Sequence, residues 1–283
     1  MSDRTLGKET HAQPNHSEAA SPKISVITAV YNCEHTISET IESVARQDYD
    51  NVEHIVVDGM STDRTREIAA SYKSVDKIHS ERDEGIYDAF NKGLAIASGD
   101  LIAFLNGDDY YASSDTLRLV ATHHRDSGAD IVMGNVAMFS DAQPQRPIVR
   151  YYNSGQFRPD RIAYGWMPAH PAMFVDRTVF ERFGGFDKTY RIGGDFELVA
   201  RHMVKGSARA SHMDRTLVFM RTGGASTGGL GSNWVILKEN LRACRANGID
   251  TNIFKLGQKY LTKLSQFVRR PSDLEQTDAS PWW

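Results

Sequence analysis

A chain of 283 residues, 40% hydrophobic and 24% charged, has an ordinary globular composition, long enough for one large domain or one and a half. Its formal net charge of -3 argues against a nucleic-acid partner, and no run approaches the roughly 18 apolar residues of a membrane span. Two cysteines, Cys33 and Cys244, make no disulfide framework and suit a reducing cytoplasm.

Residues 1–22 hold almost nothing to bury, so they read as a disordered lead-in and not as a secretory signal. From Lys23 strands and helices alternate. ISVITAV (24–30) is a strand pattern, and TISETIESVARQ (36–47) is a helix with Ile37, Ile41 and Val44 on one face. VEHIVVD (52–58) is a second strand, and the helix after it takes Ser61 or Thr62 as N-cap. VDKIHS (75–80) is a short third strand. GIYDAFNKGLAIAS (85–98) is a helix with Ile86, Phe90 and Leu94 four apart. LIAFL (101–105) is a continuous apolar run that fits a buried parallel strand. TLRLVATHHRDSG and ADIVMGNVAMF (129–139) add a helix and a strand. Such repeats imply right-handed crossovers and a mainly parallel sheet of α/β class. After Ser140 the rhythm breaks, and the last part, from about Asn233, is helical in pattern. The boundaries that follow are 23–226 for the main domain, split into 23–110 and 111–226, and 227–283 for a helical, basic extension.

Several of these strands end on polar residues. In a parallel sheet their carboxyl ends share one edge, where open α/β folds bind ligands. That edge gathers Thr28, Tyr31, Asn32, Asp58, Asp83, Asn106, Asp108 and Asp109. The apolar run stops on Asp108-Asp109, adjacent carboxylates that repel unless a positive group sits between them. Oxygen-only ligands at a partly wet site suit Mg²⁺ or Mn²⁺ better than zinc. The Gly-rich stretch 222–232 matches neither a dinucleotide loop nor a P-loop, and is expected to be a loop closing over substrate. Residues 253–270 mix apolar side chains with Lys and Arg, a pattern for a helix lying on an anionic membrane or docked on the domain.

ISVITAVYN, IVVDGMSTDRT, SERDEGIYDAFNKGLAIASGDLIAFLNGDD and GGFDKTYRIGGDFELVAR, in that order over about residues 24–201, resemble the family 2 glycosyltransferases. The resemblance implies a GT-A fold, a Rossmann-type mainly parallel sheet flanked by helices, and a nucleotide-sugar donor. On it, Thr28, Ala29, Tyr31, Asn32 and Asp58 hold the nucleoside, and Asp83 closes over base and ribose. Asn91, Lys92 and Asn106 are further candidate donor contacts, with an exposed helix lysine the preferred alternative for Lys92, and Asp108 and Asp109 carry the metal. The catalytic base falls on Asp195, with Glu197 as fallback, and His170, Glu197 and Arg201 are placed near acceptor or diphosphate. For Arg201 an ion pair with Glu197 is the preferred alternative; for His170 a buried, satisfied core histidine and an acceptor or diphosphate contact stand as equal readings. Two positions depart from the family pattern: Asn106 stands where many members have Asp, and Gly194 where the base is commonly preceded by Glu.

The implied function is inverting, metal-dependent, non-processive transfer of the hexosyltransferase type. The donor is UDP-linked by default, the acceptor a glycan or a lipid-linked sugar, and the setting surface-polysaccharide synthesis at the inner face of the cell membrane. The absence of a QxxRW element points away from processivity. The rivals are a nucleotide-sugar- or glycan-binding protein without catalysis and, less well matched, a sugar-nucleotide nucleotidyltransferase. The latter needs a Gly-rich, basic loop after the first strand, where TAVYNCEHT has none.

Overall fold

The structure, a computed structural model, describes residues 21–223, 230–259 and 281. The first half alternates as its pattern predicts: β1 (Ile24–Val30), α1 (Ile37–Ala45), β2 (Val52–Asp58), α2 (Thr65–Ser71), β3 (Lys77–Ser80), α3 (Ile86–Ile96) and β4 (Leu101–Phe104). The four strands lie parallel in the order β3-β2-β1-β4. β1 is apolar along its length because both faces are covered. Ile27 packs with Phe90 of α3, while Ile24 and Val26 join Val44 of α1 on the opposite face. Each such side chain contributes about 1.5–3 kcal/mol when fully buried.

The second half is mixed where a mainly parallel sheet was expected. It comprises β5 (Tyr110–Tyr111), α4 (Thr116–Ser127), β6 (Ile131–Phe139), β7 (Ile148–Tyr152), β8 (Met173–Asp176) and α5 (Arg177–Phe183). α6 (Gly194–Val199) follows and runs into a π-helical turn, Ala200–Lys205, before β9 (Ala210–Arg221), α7 (Leu230–Ala246) and α8 (Ile253–Gly257). β6 does not neighbour β4. β8 lies between them, antiparallel to both, and β9 then pairs parallel with β6. A strand of four residues arriving from the far half leaves no periodic signal of its own, which is why the pattern missed it.

Two local expectations are corrected. α2 begins at Thr65, and Ser61 does not cap it; the Ser61 hydroxyl instead accepts the Asn32 backbone N–H at 2.9 Å. On α3 the buried face is Tyr87, Ala89, Phe90 and Gly93, whereas Ile86 is exposed. That one-residue rotation turns Tyr87 inward, toward the site described below.

No described helix is long and apolar enough to cross a membrane. The expected lead-in (1–22) lies outside the described residues apart from its last two, as do most of the 222–232 loop and the tail beyond 259.

Candidate active site

The turn after β4 is held by α1. Thr36 Oγ1 donates to the Gly107 carbonyl at 2.7 Å and Thr40 Oγ1 to that of Asp109 at 2.8 Å. Gly107 has no room for a side chain, since a Cβ there would meet Val30 at 2.6 Å. The two acids that follow point to different places. Asp109 is buried at 1% exposure; its Oδ1 accepts the Arg221 N–H at 2.9 Å and its Oδ2 accepts the Asn106 amide at 2.9 Å. Burial first, and Asp108 second, push its carboxyl well above the usual range. Asp108 is partly exposed. Burial raises its carboxyl, and Arg221 and its own backbone N–H offset this only in part.

This division bears on the metal. Among the described residues no three His, Cys, Asp or Glu side chains converge as a cage. Asp109, sealed in and hydrogen-bonded on both oxygens, is a poor metal ligand, which corrects the expectation that both acids grip the ion. Asp108, desolvated and short of donors, fits one. Mg²⁺ and Mn²⁺ sites of this kind use one or two carboxylates and complete the shell with water and substrate phosphates.

Around the turn stand two arginines that no motif flagged. Arg221 donates through Nε to the Asp108 carbonyl at 3.2 Å and through Nη2 to Glu39 at 2.8 Å. Arg146 donates to Glu39 at 2.7 Å and pairs with Asp141; Arg221 also pairs with Asp141. Both guanidinium groups lie over the Phe139 ring. The only sequence signal was an arginine ending an apolar run.

At the ends of β1 and β2, Tyr31 is 61% exposed and Met60 54% exposed. Asn32 turns the chain with φ +52° and accepts the Thr62 N–H at 2.8 Å. Ala29 is partly buried against the core. Asp83 accepts the Gly85 N–H at 3.1 Å and fills the space beside Gly59. Thr28 and Asp58 do not face this rim. Thr28 is buried against His54 at 3.0 Å. Asp58, 1% exposed, accepts from Ser61 N–H at 3.0 Å and Ser80 Oγ at 2.6 Å, so it braces the loops.

Three further predicted contacts are corrected, and Arg201 takes the ion pair preferred for it above. Asn91 makes a reciprocal pair with the Phe186 backbone, both bonds at 2.8 Å, tying α3 to the turn before α6. Lys92 donates to the Arg82 carbonyl at 2.7 Å and pairs with Glu81 and Asp88. Glu197 and Arg201 form a two-bond ion pair, each bond 2.9 Å. Arg201 spends its remaining donors on the carbonyls of Phe183, Gly184 and Gly185, so neither residue is available to an acceptor or a diphosphate. Asp195 thus stands without a fallback.

The His170 ring nitrogens are buried but, among the described residues, not satisfied. The ring stacks on Phe104 at 5.5 Å and meets Phe90 and Phe186 at 5.9 and 5.5 Å. Both ring nitrogens lack a hydrogen-bond partner, and burial pushes its pKa down to about 4. With Tyr87 stacked on Phe186 at 5.4 Å, these rings form one aromatic row from the end of β4 to α6.

At the far end of that row sits Asp195, in the first turn of α6. Its Oδ1 accepts the Phe196 N–H at 2.8 Å. Burial raises its pKa to about 6 against the lowering effects of backbone N–H groups, Lys259 and Tyr87. The Tyr87 ring occupies the space beside Gly194, where a Cβ would come within 2.6 Å of it. Tyr87 donates its own hydroxyl proton to the Ile192 carbonyl. The loop into α6 is held from outside: Glu239 of α7 accepts the N–H groups of Arg191, Ile192 and Gly193 at 2.8, 3.0 and 2.7 Å. Asp195 lines a cavity of about 160 Å³ shared with Arg150, Tyr152, Trp166, Asn240 and Lys259. Part of its wall therefore comes from α7 and the residues after α8, segments whose sequence pattern suggested a separate extension.

The family model described as Glycosyl transferase family 2 matches residues 25–184. A PGL/p-HBAD biosynthesis glycosyltransferase of Mycobacterium tuberculosis is 32% identical over 189 residues, 64% of this chain and 70% of that protein. The chain belongs to glycosyl transferase family 2. This glycosyltransferase is also 41% identical over 93 residues to the putative glycosyltransferase EpsE of Bacillus subtilis, covering 31% of this chain and 34% of that protein. Solved structures share its fold. TarS 1-349 of S. aureus superposes with a TM-score of 0.60 at 20% identity, over 90% of this chain and 73% of that one. The mannosyltransferase PcManGT of Pyrobaculum calidifontis, in complex with GDP-Man and Mn2+, gives 0.55 at 18%, over 88% and 81%. Against the longer TarS structure the chain spans 43% of its length. The curled sheet with flanking helices is thus the GT-A arrangement expected from the motifs.

Proposed function

We propose that this glycosyltransferase moves a sugar, with inversion, from a nucleotide-sugar donor to an acceptor hydroxyl, one addition per encounter. The acceptor is a glycan or lipid-linked sugar in surface-polysaccharide synthesis, reached at the inner face of the membrane. Asp195 is the base. The observation that carries this reading is a carboxylate with its pKa raised to about 6, at the wall of a cavity joined to the β4 end by a row of rings. A general base works best with a pKa near the operating pH, where it is ionised yet still a competent proton acceptor.

Tyr31, Asn32, Met60 and Asp83 form the rim for the nucleoside; the exposed Tyr31 ring is a stacking face for a base. Asp108 would hold the divalent cation with the donor's diphosphate, and a cation so bound neutralises charge on the leaving group. Asp195 takes the proton from the acceptor hydroxyl as the new bond forms. A base opposite the leaving group inverts the anomeric centre. Supporting the choice of donor, TarS 1-349 has been crystallised with UDP-GlcNAc and with UDP.

A thermal-shift screen of nucleotide sugars with and without Mn²⁺, followed by a transfer assay on the best donor, tests the reading. A ligand that binds only the native form raises its melting point. The expected result is a UDP-sugar whose shift needs Mn²⁺, and transfer that disappears in Asp195→Asn with donor affinity retained. Undiminished transfer in that variant removes Asp195 as the base.

A further inference from the structure

We propose that Arg221 is a positioning residue for the donor's cation: it fixes the 106–109 turn so that the Asp108 carboxylate is held ready for the ion. The inference rests on Asp108 holding that cation, as proposed above. The turn is anchored carbonyl by carbonyl. That of Asn106 accepts the Asp109 N–H at 3.1 Å, and those of Gly107 and Asp109 accept the hydroxyls of Thr36 and Thr40 on α1. The Asp108 carbonyl accepts Arg221 Nε at 3.2 Å. Arg221 also gives its backbone N–H to the Asp109 carboxylate at 2.9 Å. One residue at the end of β9 therefore grips both acids of a turn more than a hundred positions earlier.

The guanidinium is itself held from three other elements. Nη2 donates to Glu39 of α1 at 2.8 Å, the group pairs with Asp141 after β6, and it lies 4.9 Å from the Phe139 ring centre. Its side chain is 11% exposed, so water competes little for these bonds. Charge and geometry act in opposite directions here. A guanidinium beside a cation site repels the ion, so its charge alone weakens binding. Its geometry does the reverse, because a carboxylate on a fixed backbone has little freedom left to lose when it takes up a ligand. Losing the groups that orient a metal's ligands costs roughly 10–100-fold in affinity. Lysine keeps the charge but cannot reproduce the fork of donors, so Arg221→Lys isolates the geometric part.

The test is Mn²⁺ binding to the full chain with UDP present, read by electron paramagnetic resonance. Beside it run UDP affinity in EDTA and amide hydrogen exchange of the 106–109 turn without metal. Arg221→Lys is expected to weaken Mn²⁺ binding about tenfold or more, to speed exchange in the turn, and to leave metal-free UDP affinity unchanged. Transfer by this variant should recover as Mn²⁺ is raised to saturation, which a loss of folded protein does not allow. Glu39→Gln frees one arm of the guanidinium without altering the turn, and should weaken Mn²⁺ binding by a smaller factor; it carries the same readouts if the lysine variant does not fold. Mn²⁺ binding lost in Asp108→Asn but unmoved in Arg221→Lys and Glu39→Gln overturns this inference alone. Binding that survives Asp108→Asn overturns the reading of the cation site and this inference with it. Metal-free UDP affinity that falls in Arg221→Lys as far as Mn²⁺ affinity does also overturns it, since Arg221 then serves the fold at large.

Discussion

Asp195→Asn separates a retained base from a structural carboxylate more sharply than activity alone does. The native carboxyl is raised from 3.8 to about 6, chiefly by burial. A group with a raised native pKa binds its proton more tightly folded than unfolded. Wild-type stability therefore falls as pH climbs from about 4 to about 6, and is level above that. At about 1.36 kcal/mol for each tenfold change in proton affinity, keeping the group ionised at neutral pH costs up to about 3 kcal/mol. Asparagine removes that cost. The variant is expected to be more stable than wild type by as much as ~3 kcal/mol at pH 7.5, about 5–10 °C in melting temperature for a domain of this size. At pH 4.5 the advantage shrinks to about 1 kcal/mol, because most native wild-type carboxyls are then protonated.

The assay is urea unfolding at both pH values, run beside transfer on the same preparations. Transfer should fall by roughly 10²–10⁴-fold, the usual contribution of a general base. In wild type, transfer should rise about tenfold for each pH unit below 6 and level off above it. A variant no more stable than wild type at pH 7.5, or a gain that does not shrink at pH 4.5, refutes the account of the raised carboxyl. A flat activity profile from pH 5 to 7 refutes the assignment of the base.

Asp108→Asn is expected to abolish the Mn²⁺-dependent part of donor binding in a thermal-shift titration. Asp109→Asn should keep that dependence but lose about 1–3 kcal/mol of stability in urea, since it turns an amide against the Asn106 donor at 2.9 Å. Glu239→Ala leaves three backbone N–H groups without their carboxylate; the melting temperature and the transfer rate should fall together while donor affinity, measured by titration, stays. His170→Phe should hold or raise stability by up to about 2 kcal/mol in urea, because two buried nitrogens lack partners. Its transfer rate should stay within a few-fold of wild type if the ring serves only as floor.

The first half was legible because each parallel strand is covered on both faces and so advertises itself as a short apolar run between turns. Ile24, Ile27, Ile55, Val57 and Leu101 are all fully buried. Side-chain direction was not legible. Asn91, Glu197 and Arg201 belong to motifs, yet their polar atoms close loops within the fold, and spacing along a chain does not say whether a carboxylate faces water or a neighbouring N–H. The second half was harder still, because its strands are ordered by contacts between distant segments. Glu239 acts on residues 46–48 positions earlier. Nothing in KENLRAC distinguishes it from any helix glutamate.

Both departures from the family pattern are accommodated by neighbours. Asn106 in place of a third carboxylate lets its amide donate to Asp109, where an aspartate would have added repulsion to a pair already raised in pKa. Gly194 in place of Glu makes room for the Tyr87 ring, and that ring covers Asp195. Burial as a whole raises the Asp195 carboxyl, while Tyr87 itself acts to lower it. Under the proposed reading an ionised carboxylate at 195 costs up to about 3 kcal/mol at neutral pH, and the stability and transfer of Asp195→Asn measured together separate catalysis from the binding-only alternative.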